Sequence, residues 1–311
     1  MEYRRLGKTG FKVSVLSLGT GGHSRIGKSK GRSPDQSVRI IEEAIERGIN
    51  LIDTSEIYGT EELVGKAISG YERSKLYIST KVDIHTQKGA KRSDDLFRSL
   101  EGSLKRLGTD HIDIYHLHGI APEEFDHCID ELLPAMQRAK KEGMIRAVGI
   151  TERFEWDPSH KMLEKAVSDD FFDVIMVGFN ILNQSAGKSI LPEAIKRNIG
   201  VLDMFAVRRA LINEQFFKKE LSLLVSKGLF DENAIDMTAK MILDAAGAKE
   251  LPEAAYRFCL DGPGIHSVLF GTGNMDHLRS NIEYMEKGPL PRKARDQIKH
   301  IFREVDCISG E

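Results

Sequence analysis

Asn50-Leu51-Ile52-Asp53, Glu61-Glu62-Leu63-Val64-Gly65-Lys66-Ala67-Ile68 and Leu76-Tyr77-Ile78-Ser79-Thr80-Lys81 decide the fold, because they read in succession as strand, helix and strand. A short apolar strand followed by an amphipathic helix is the repeating unit of a parallel α/β sheet. Working outward, the unit recurs as strand Ile112–His118 with helix Cys128–Lys141, and strand Leu76–Lys81 is followed by helix Ser93–Leu107. Strand Ala147–Ile150 precedes helix Pro158–Val167, and strand Val174–Phe179 precedes helix Ile190–Arg197. Strand Val201–Met204 leads to helix Pro252–Leu260, and strand Ser267–Phe270 to helix Met275–Met285. Toward the N-terminus, Leu16-Ser17-Leu18-Gly19 is a first short strand. Its helix begins with Ser33 as N-cap and Pro34 at the first helical position, and ends at Gly48.

Eight such units in 311 residues predict an α/β fold closed as a (β/α)₈ TIM barrel. A β-hairpin candidate (Tyr3–Leu6, Gly7–Gly10, Phe11–Val15) precedes it, and a helix over Arg292–Val305 follows. Between Met204 and Leu251 lies an insertion after strand seven, with helical stretches near Phe216–Val225 and Asn233–Ala246. An insertion of that length after a barrel strand commonly serves as a lid or binding loop. No Pro/Gly/Ser-rich linker interrupts the pattern, so residues 1–311 are expected to form one barrel domain.

Composition narrows the function classes. Lys and Arg number 45 against 47 Asp and Glu, a formal net charge of -2, which is not the basic footprint of a nucleic-acid binder. No apolar run approaches the ~20 residues that cross a bilayer, and Met1–Gly7 lacks the apolar region of a signal peptide. Cys128, Cys259 and Cys307 form no closely spaced pair, so neither a disulfide framework nor a metal site is expected. The expectation is a cytoplasmic protein without nucleic-acid or membrane partners, of undetermined oligomeric state.

Barrel active sites lie at the C-terminal ends of the strands. Asp53 ends strand two, with Tyr58 in the loop behind it; Lys81 ends strand three and His118 strand four. An ammonium near a phenol favours the phenolate, and a carboxylate holds that ammonium charged. Tyr58 as proton donor, Lys81 as its perturber, Asp53 as the partner of Lys81 and His118 as a carbonyl-orienting group make one working unit. The unit lacks only a hydride source.

Asn50–Gly59, Ile78-Ser79-Thr80-Lys81 and Ile112–His118 resemble the signatures of the aldo-keto reductase family, and the similarity runs from Arg4 to Asn281. The resemblance implies a (β/α)₈ barrel, a catalytic tetrad at Asp53, Tyr58, Lys81 and His118, and no metal. It also implies NADP(H), with NAD(H) as the alternative, and a small-molecule carbonyl substrate. Gly19-Thr20-Gly21 resembles the loop beneath the nicotinamide, to which Asp53 is also adjacent. Gly271-Thr272-Gly273, His277 and Asn281 resemble the segment gripping the adenosine phosphate. Thr151 and Glu152 stand where the family has a pair holding the carboxamide, and Met176 where a Gln commonly supports the ring. Either Met204 or Phe205 takes the place of the stacking aromatic. Many relatives hold the 2′-phosphate with Lys or Arg where this chain has Gly271 and His277; Arg279, Arg208 and Arg209 are nearby candidates.

Alternation along strand four puts His116 on the same side as His118, either as a second-layer partner or as an interior polar residue. Arg25, Lys28, Lys30 and Arg32 read as a solvated loop, Trp156 as a packing residue, and Cys128 and Cys259 as core. Two other functions compete with carbonyl reduction. One is a catalytically weak NADP(H)-binding sensor or regulatory subunit, and the other a lyase or isomerase using Lys81 as a Schiff base.

Overall fold

Strands buried on both faces can exist only where helices cover the outside of a parallel sheet and side chains fill the inside. The computed structural model describes residues 1–87 and 89–311, and its barrel strands have that character, Val174–Gly178 and Gly200–Met204 being buried at every position. An N-terminal hairpin pairs β1 (Tyr3–Arg5) with β2 (Lys12–Ser14). The barrel then begins with β3 (Leu16–Gly19), β4 (Leu51–Asp53) and β5 (Tyr77–Asp83). A small hairpin of β6 (His85–Thr86) and β7 (Gly89–Ala90) intervenes. The barrel resumes with β8 (Ile112–Ile120), β9 (Ile145–Glu152), β10 (Val174–Gly178), β11 (Gly200–Met204) and β12 (Ser267–Gly271). All eight barrel strands pair in parallel and close in sequence, β12 lying between β11 and β3. The expected (β/α)₈ barrel, N-terminal hairpin and insertion after the seventh strand are therefore present.

The hairpin plugs one end of the barrel. Leu6, Phe11 and Val13 pack with Leu51, Ile114, Val174 and Leu202 of the interior, and Leu6 sits where any side chain on Gly200 would lie. Apolar filling at that end leaves the opposite end, where the strands terminate, for polar residues. The first helix starts as its sequence dictates. Ser33 Oγ accepts the Gln36 N–H at 3.2 Å, Gln36 Oε1 accepts the Ser33 N–H at 3.0 Å, and the helix runs Pro34–Glu46.

Several boundaries move for local reasons. The fifth helix starts at Lys161 rather than Pro158, because His160 adopts a left-handed backbone (φ +64°) and Asp157 caps the Lys161 and Met162 amides. The fourth begins earlier, at Phe125, and passes through a π-helical turn at Cys128–Leu132. The last helix stops at Ile301, short of Val305. Trp156, expected to pack, is 79% exposed on a turn whose neighbour Phe154 takes the interior position instead. The β6–β7 hairpin carried no apolar alternation and was not expected. Cys128 and Cys259 are buried. No helix among the described residues is long and apolar enough to cross a membrane.

The insertion folds as helices Glu214–Ser226 and Ile235–Ala246, and Phe302 ties it to the C-terminal helix. Phe302 stacks on Phe230 (ring centroids 6.0 Å apart) and meets Phe217 edge-on at 6.4 Å. Phe302 is fully buried, so Phe302→Ala should cost about 3–5 kcal/mol of stability. Chemical denaturation checks this, the unfolding midpoint falling without loss of helical signal in the native baseline.

Candidate active site

Lysine carries the longest reach and the highest desolvation cost of the mouth residues, so its partners come first. Lys81 is buried near the end of β5, and its Nζ donates to Asp53 Oδ2 at 2.5 Å and to the Thr54 carbonyl at 2.8 Å. Ser79, two residues earlier on the same face of β5, donates its hydroxyl to Asp53 Oδ1 at 2.7 Å. The β4–β5 register pairs Asp53 with Ser79, which is why both partners reach one carboxylate. Burial alone would lower the Lys81 pKa, but Asp53 and Tyr58 outweigh it and hold the ammonium above lysine's ordinary value.

The loop after β4 brings Tyr58 over this pair. Residues Glu56–Tyr58 form a 3₁₀ turn that ends on Gly59 at φ +66°, a conformation glycine adopts without strain. Glu56 fastens the turn by accepting the Asp83 N–H at 2.9 Å and the Lys91 ammonium at 2.7 Å. Lys81 Nζ lies 5.2 Å from the Tyr58 ring centroid. Tyr58 Oη is 3.2 Å from His118 Nε2, and His118 Nδ1 is 3.1 Å from Ser55 Oγ. The four residues expected at the strand ends thus converge, with Ser55, Ser79 and the Thr54 carbonyl as partners that sequence reading had not singled out. The spacing of Ser79 and Lys81 on one strand was the available signal.

The electrostatics depart from expectation in one respect. Burial pushes the Tyr58 phenol above its ordinary pKa, and Lys81 only partly opposes this, so the group stays protonated rather than poised as a phenolate. His118 is driven down to about 3 by burial and by the Lys81 charge, so its imidazole is neutral. Its tautomer follows Ser55. When the Ser55 hydroxyl donates to Nδ1, the proton sits on Nε2. When it turns instead toward the Lys81 carbonyl 3.4 Å away, Nδ1 donates and Nε2 accepts. His116 is buried against Gly149 and makes no hydrogen bond to the other four residues. Burial drives its pKa well below the ordinary value, which is the behaviour of an interior polar residue.

The residues marked for a dinucleotide lie around the same mouth. The Thr20 N–H donates to the Asp53 carbonyl at 2.8 Å, and its hydroxyl meets Thr60 at 2.9 Å. Gly21 lies against the Tyr58 ring, which occupies the place of any Cβ there at 2.4 Å. A Cβ on Gly271 would be 3.4 Å from the carbonyl oxygen of Gly19, its register partner, so the ends of β12 and β3 meet there as bare backbone. Thr272 Oγ1 accepts the Asn274 N–H at 3.0 Å. Asn274 in turn caps the helix Met275–Glu286 that carries His277 and buried Asn281. The backbone of Gly27 packs where a Gly273 side chain would be. Thr151 accepts the Gly119 N–H at 2.7 Å through its hydroxyl.

Glu152 points away from this mouth. Its carboxylate is buried between His160 Nδ1, 2.9 Å from Oε2, and the Gly178 N–H, 2.7 Å from Oε1. Met176 and Met204 both join the barrel interior, and Phe205, at φ +68°, packs half-buried against the same cluster. Phe205 stacks on Phe154 (6.2 Å), which stacks on His160 (5.3 Å), and the Arg208 guanidinium covers its other face at 3.9 Å. Of the cations considered for a 2′-phosphate, Arg279 is 3.1 Å from Glu43. Arg208 is engaged by Glu155 and Glu311, and Arg209 lies over Phe216. Among the loop cations, Lys28 donates to the Gly59 carbonyl at 2.9 Å.

Comparison with known proteins agrees with the geometry. The Aldo/keto reductase family is matched over residues 16–303, and the chain belongs to that family. Its fold and membership make it an NAD(P)H-dependent oxidoreductase. L-galactose dehydrogenase of Arabidopsis thaliana is 28% identical, covering 99% of this chain and 94% of its own length. The aldo-keto reductase YhdN of Bacillus subtilis is 30% identical over 91% of this chain and 88% of its own. Among solved structures, an aldo-keto reductase of Bacillus halodurans in its holo form superposes with TM-score 0.73 at 25% identity, over 97% of this chain and 96% of that one. A thermostable aldo-keto reductase bound to the inhibitor epalrestat gives 0.72 at 29% identity, over 97% and 100%.

Two outcomes follow from the packing and the charges. Gly21→Ala should displace the Tyr58 ring, cutting turnover far more than it lowers the melting temperature; both are measured on one preparation. His118 should show no titration by NMR between pH 5 and 8. The unfolded chain takes up its proton near 6.5 and the folded one only at about 3. His118 therefore withdraws stability as pH falls through that window, and none above it.

Proposed function

We propose that this protein reduces the aldehyde or ketone group of a small molecule to the alcohol, reversibly, with Tyr58 as proton donor and NADPH preferred to NADH. The observation that carries this reading is the chain Tyr58–His118–Ser55 standing beside a buried Lys81–Asp53 ion pair at the strand ends. The bare backbone of Gly19 and Gly271 lies beneath the nicotinamide ring in this reading, while Gly21 makes room for Tyr58. In this reading Thr151 holds the carboxamide, Met204 or Phe205 flanks the ring, and Gly271–Gly273 with His277 and Asn281 hold the adenosine phosphate. When bound there, the reduced nicotinamide supplies a hydride.

The chain's own residues handle the proton. Tyr58, protonated because it is buried, gives its hydroxyl proton to the carbonyl oxygen as that oxygen gains negative charge. The Lys81 ammonium beneath the ring stabilises the phenolate left behind, and Asp53 keeps Lys81 in place. His118, neutral and carrying its proton on Nε2 when Ser55 donates to Nδ1, donates to the same oxygen and orients it. Tyr58 regains its proton from solvent. The preference for NADPH follows family habit. NADH stays the alternative, since neither Gly271 nor His277 is a Lys or Arg that could hold a 2′-phosphate and Glu43 engages Arg279. The name of the Arabidopsis relative makes a sugar one of the first substrates to try.

The test follows loss of NADPH or NADH absorbance with a panel of aldehydes, ketones and sugars, beside Tyr58→Phe. Tyr58→Phe should lower kcat by at least about 10²-fold while leaving dinucleotide affinity unchanged. Turnover in the variant equal to that of the native protein removes Tyr58 from the role of proton donor.

A further inference from the structure

Beyond the barrel strands, residues 308–311 are threaded through the wall of the mouth. Asn183 Nδ2 donates to the Ile308 carbonyl at 2.8 Å and Asn180 Nδ2 to the Ser309 carbonyl at 3.2 Å. The Ala210 N–H donates to the Gly310 carbonyl at 2.9 Å. Those three bonds leave Glu311 at the rim with its carboxylate shared between two loops. One oxygen pairs with the Arg208 guanidinium and the other lies 3.0 Å from His23 Nε2. Arg208 follows β11 and His23 follows β3, the two strands that flank β12. The bridge therefore spans the end of β12, where Gly271-Thr272-Gly273 presents its backbone. The loop it pins is the one whose Gly27 backbone already lies against Gly273.

On its Arg208 side this bridge is more than a surface contact, while His23 is exposed. Arg208 is largely buried and stacked on Phe205, and it faces two carboxylates, Glu155 and Glu311. A guanidinium with one carboxylate removed offers a free fork to a phosphate, whereas with both in place the locality carries excess negative charge.

We infer that Glu311 is an internal anion that latches the loop after β3 to Arg208 across the end of β12, and that the diphosphate of the dinucleotide must displace it to bind. The inference rests on the cofactor reading above and adds a competitor built into the chain. Apparent dinucleotide affinity then scales with the fraction of molecules whose latch is open, so whatever weakens the latch strengthens binding.

Calorimetric titration of the ligand-free protein with NADPH, and separately NADH, tests it, with Glu311→Gln and Glu155→Gln beside the native chain. Glu311→Gln should bind about five- to tenfold more tightly, toward the low end of ordinary coupling between sites. Rising salt should narrow that gap by screening the carboxylate. Glu155→Gln lowers the charge at Arg208 without cutting the bridge, so its gain should be smaller. In the ligand-free Glu311→Gln protein, amides of residues 22–31 should exchange with solvent faster than in the native chain. Equal dinucleotide affinity in native and Glu311→Gln proteins overturns the latch while leaving the cofactor reading intact. A gain from Glu155→Gln as large as that from Glu311→Gln overturns the bridge. Absence of NADPH and NADH binding in all three proteins overturns both readings together.

Discussion

Two opposite charges, the Lys81 ammonium and the Asp53 carboxylate, are taken out of water at the mouth of the barrel, and the arrangement around them follows from that constraint. Removing such ions from water costs several kcal/mol each, and their attraction repays it only with good geometry and further hydrogen bonds. Ser79 supplies one to the carboxylate, and the Thr54 carbonyl accepts one from the ammonium. Both arrive because adjacent parallel strands hold Asp53 opposite Ser79. The pair is not what makes the protein stable. Its cost is carried by the apolar barrel interior below it, which the N-terminal hairpin seals with Leu6, Phe11 and Val13. In return it fixes a positive charge beneath Tyr58, in surroundings where burial keeps both the phenol and the His118 imidazole uncharged.

A second constraint shapes the opposite wall. Phe205 occupies a left-handed backbone conformation, which an aromatic residue adopts only when its surroundings hold it there. The stack of His160, Phe154, Phe205 and Arg208 does so, with Asn180 donating to the Phe205 carbonyl. Glu152 anchors one end of the stack through His160, and Glu155 and Glu311 hold the other through Arg208. This accounts for a carboxylate at a position where the family resemblance places one of the pair that holds the carboxamide. Glu152 serves the wall from within, and the Thr151 hydroxyl beside it holds the Gly119 N–H.

Strand-end residues proved readable because a barrel places every strand terminus on one face, so Asp53, Lys81 and His118 could be assigned to a common site from their positions alone. Helix starts with a local chemical signal, such as Ser33 and Pro34, were equally plain. Signals carried by tertiary contact were not. His160 begins its helix in a left-handed conformation because Glu152 and Phe154 hold its ring, and nothing local announces that. Trp156 read as a packing residue by its size, yet Phe154 fills the interior and leaves it in solvent. The Tyr58 pKa was misjudged for the same reason. The neighbouring charge was visible in the chain, whereas the depth of burial that outweighs it was not.

Periodicity, strand termini and short motifs by themselves determined the eight-unit barrel, the hairpin before it, the insertion after the seventh strand and the four residues that meet at its mouth. These properties depend on spacing along the chain, and spacing is preserved in the sequence. Tertiary structure alone decided which of those groups carry charge, where Glu152 points, and how Arg208 is divided between Phe205, Glu155 and Glu311. Charge state and pairing are set by the water excluded and the partners supplied by distant segments, and those exist only once the chain has closed on itself.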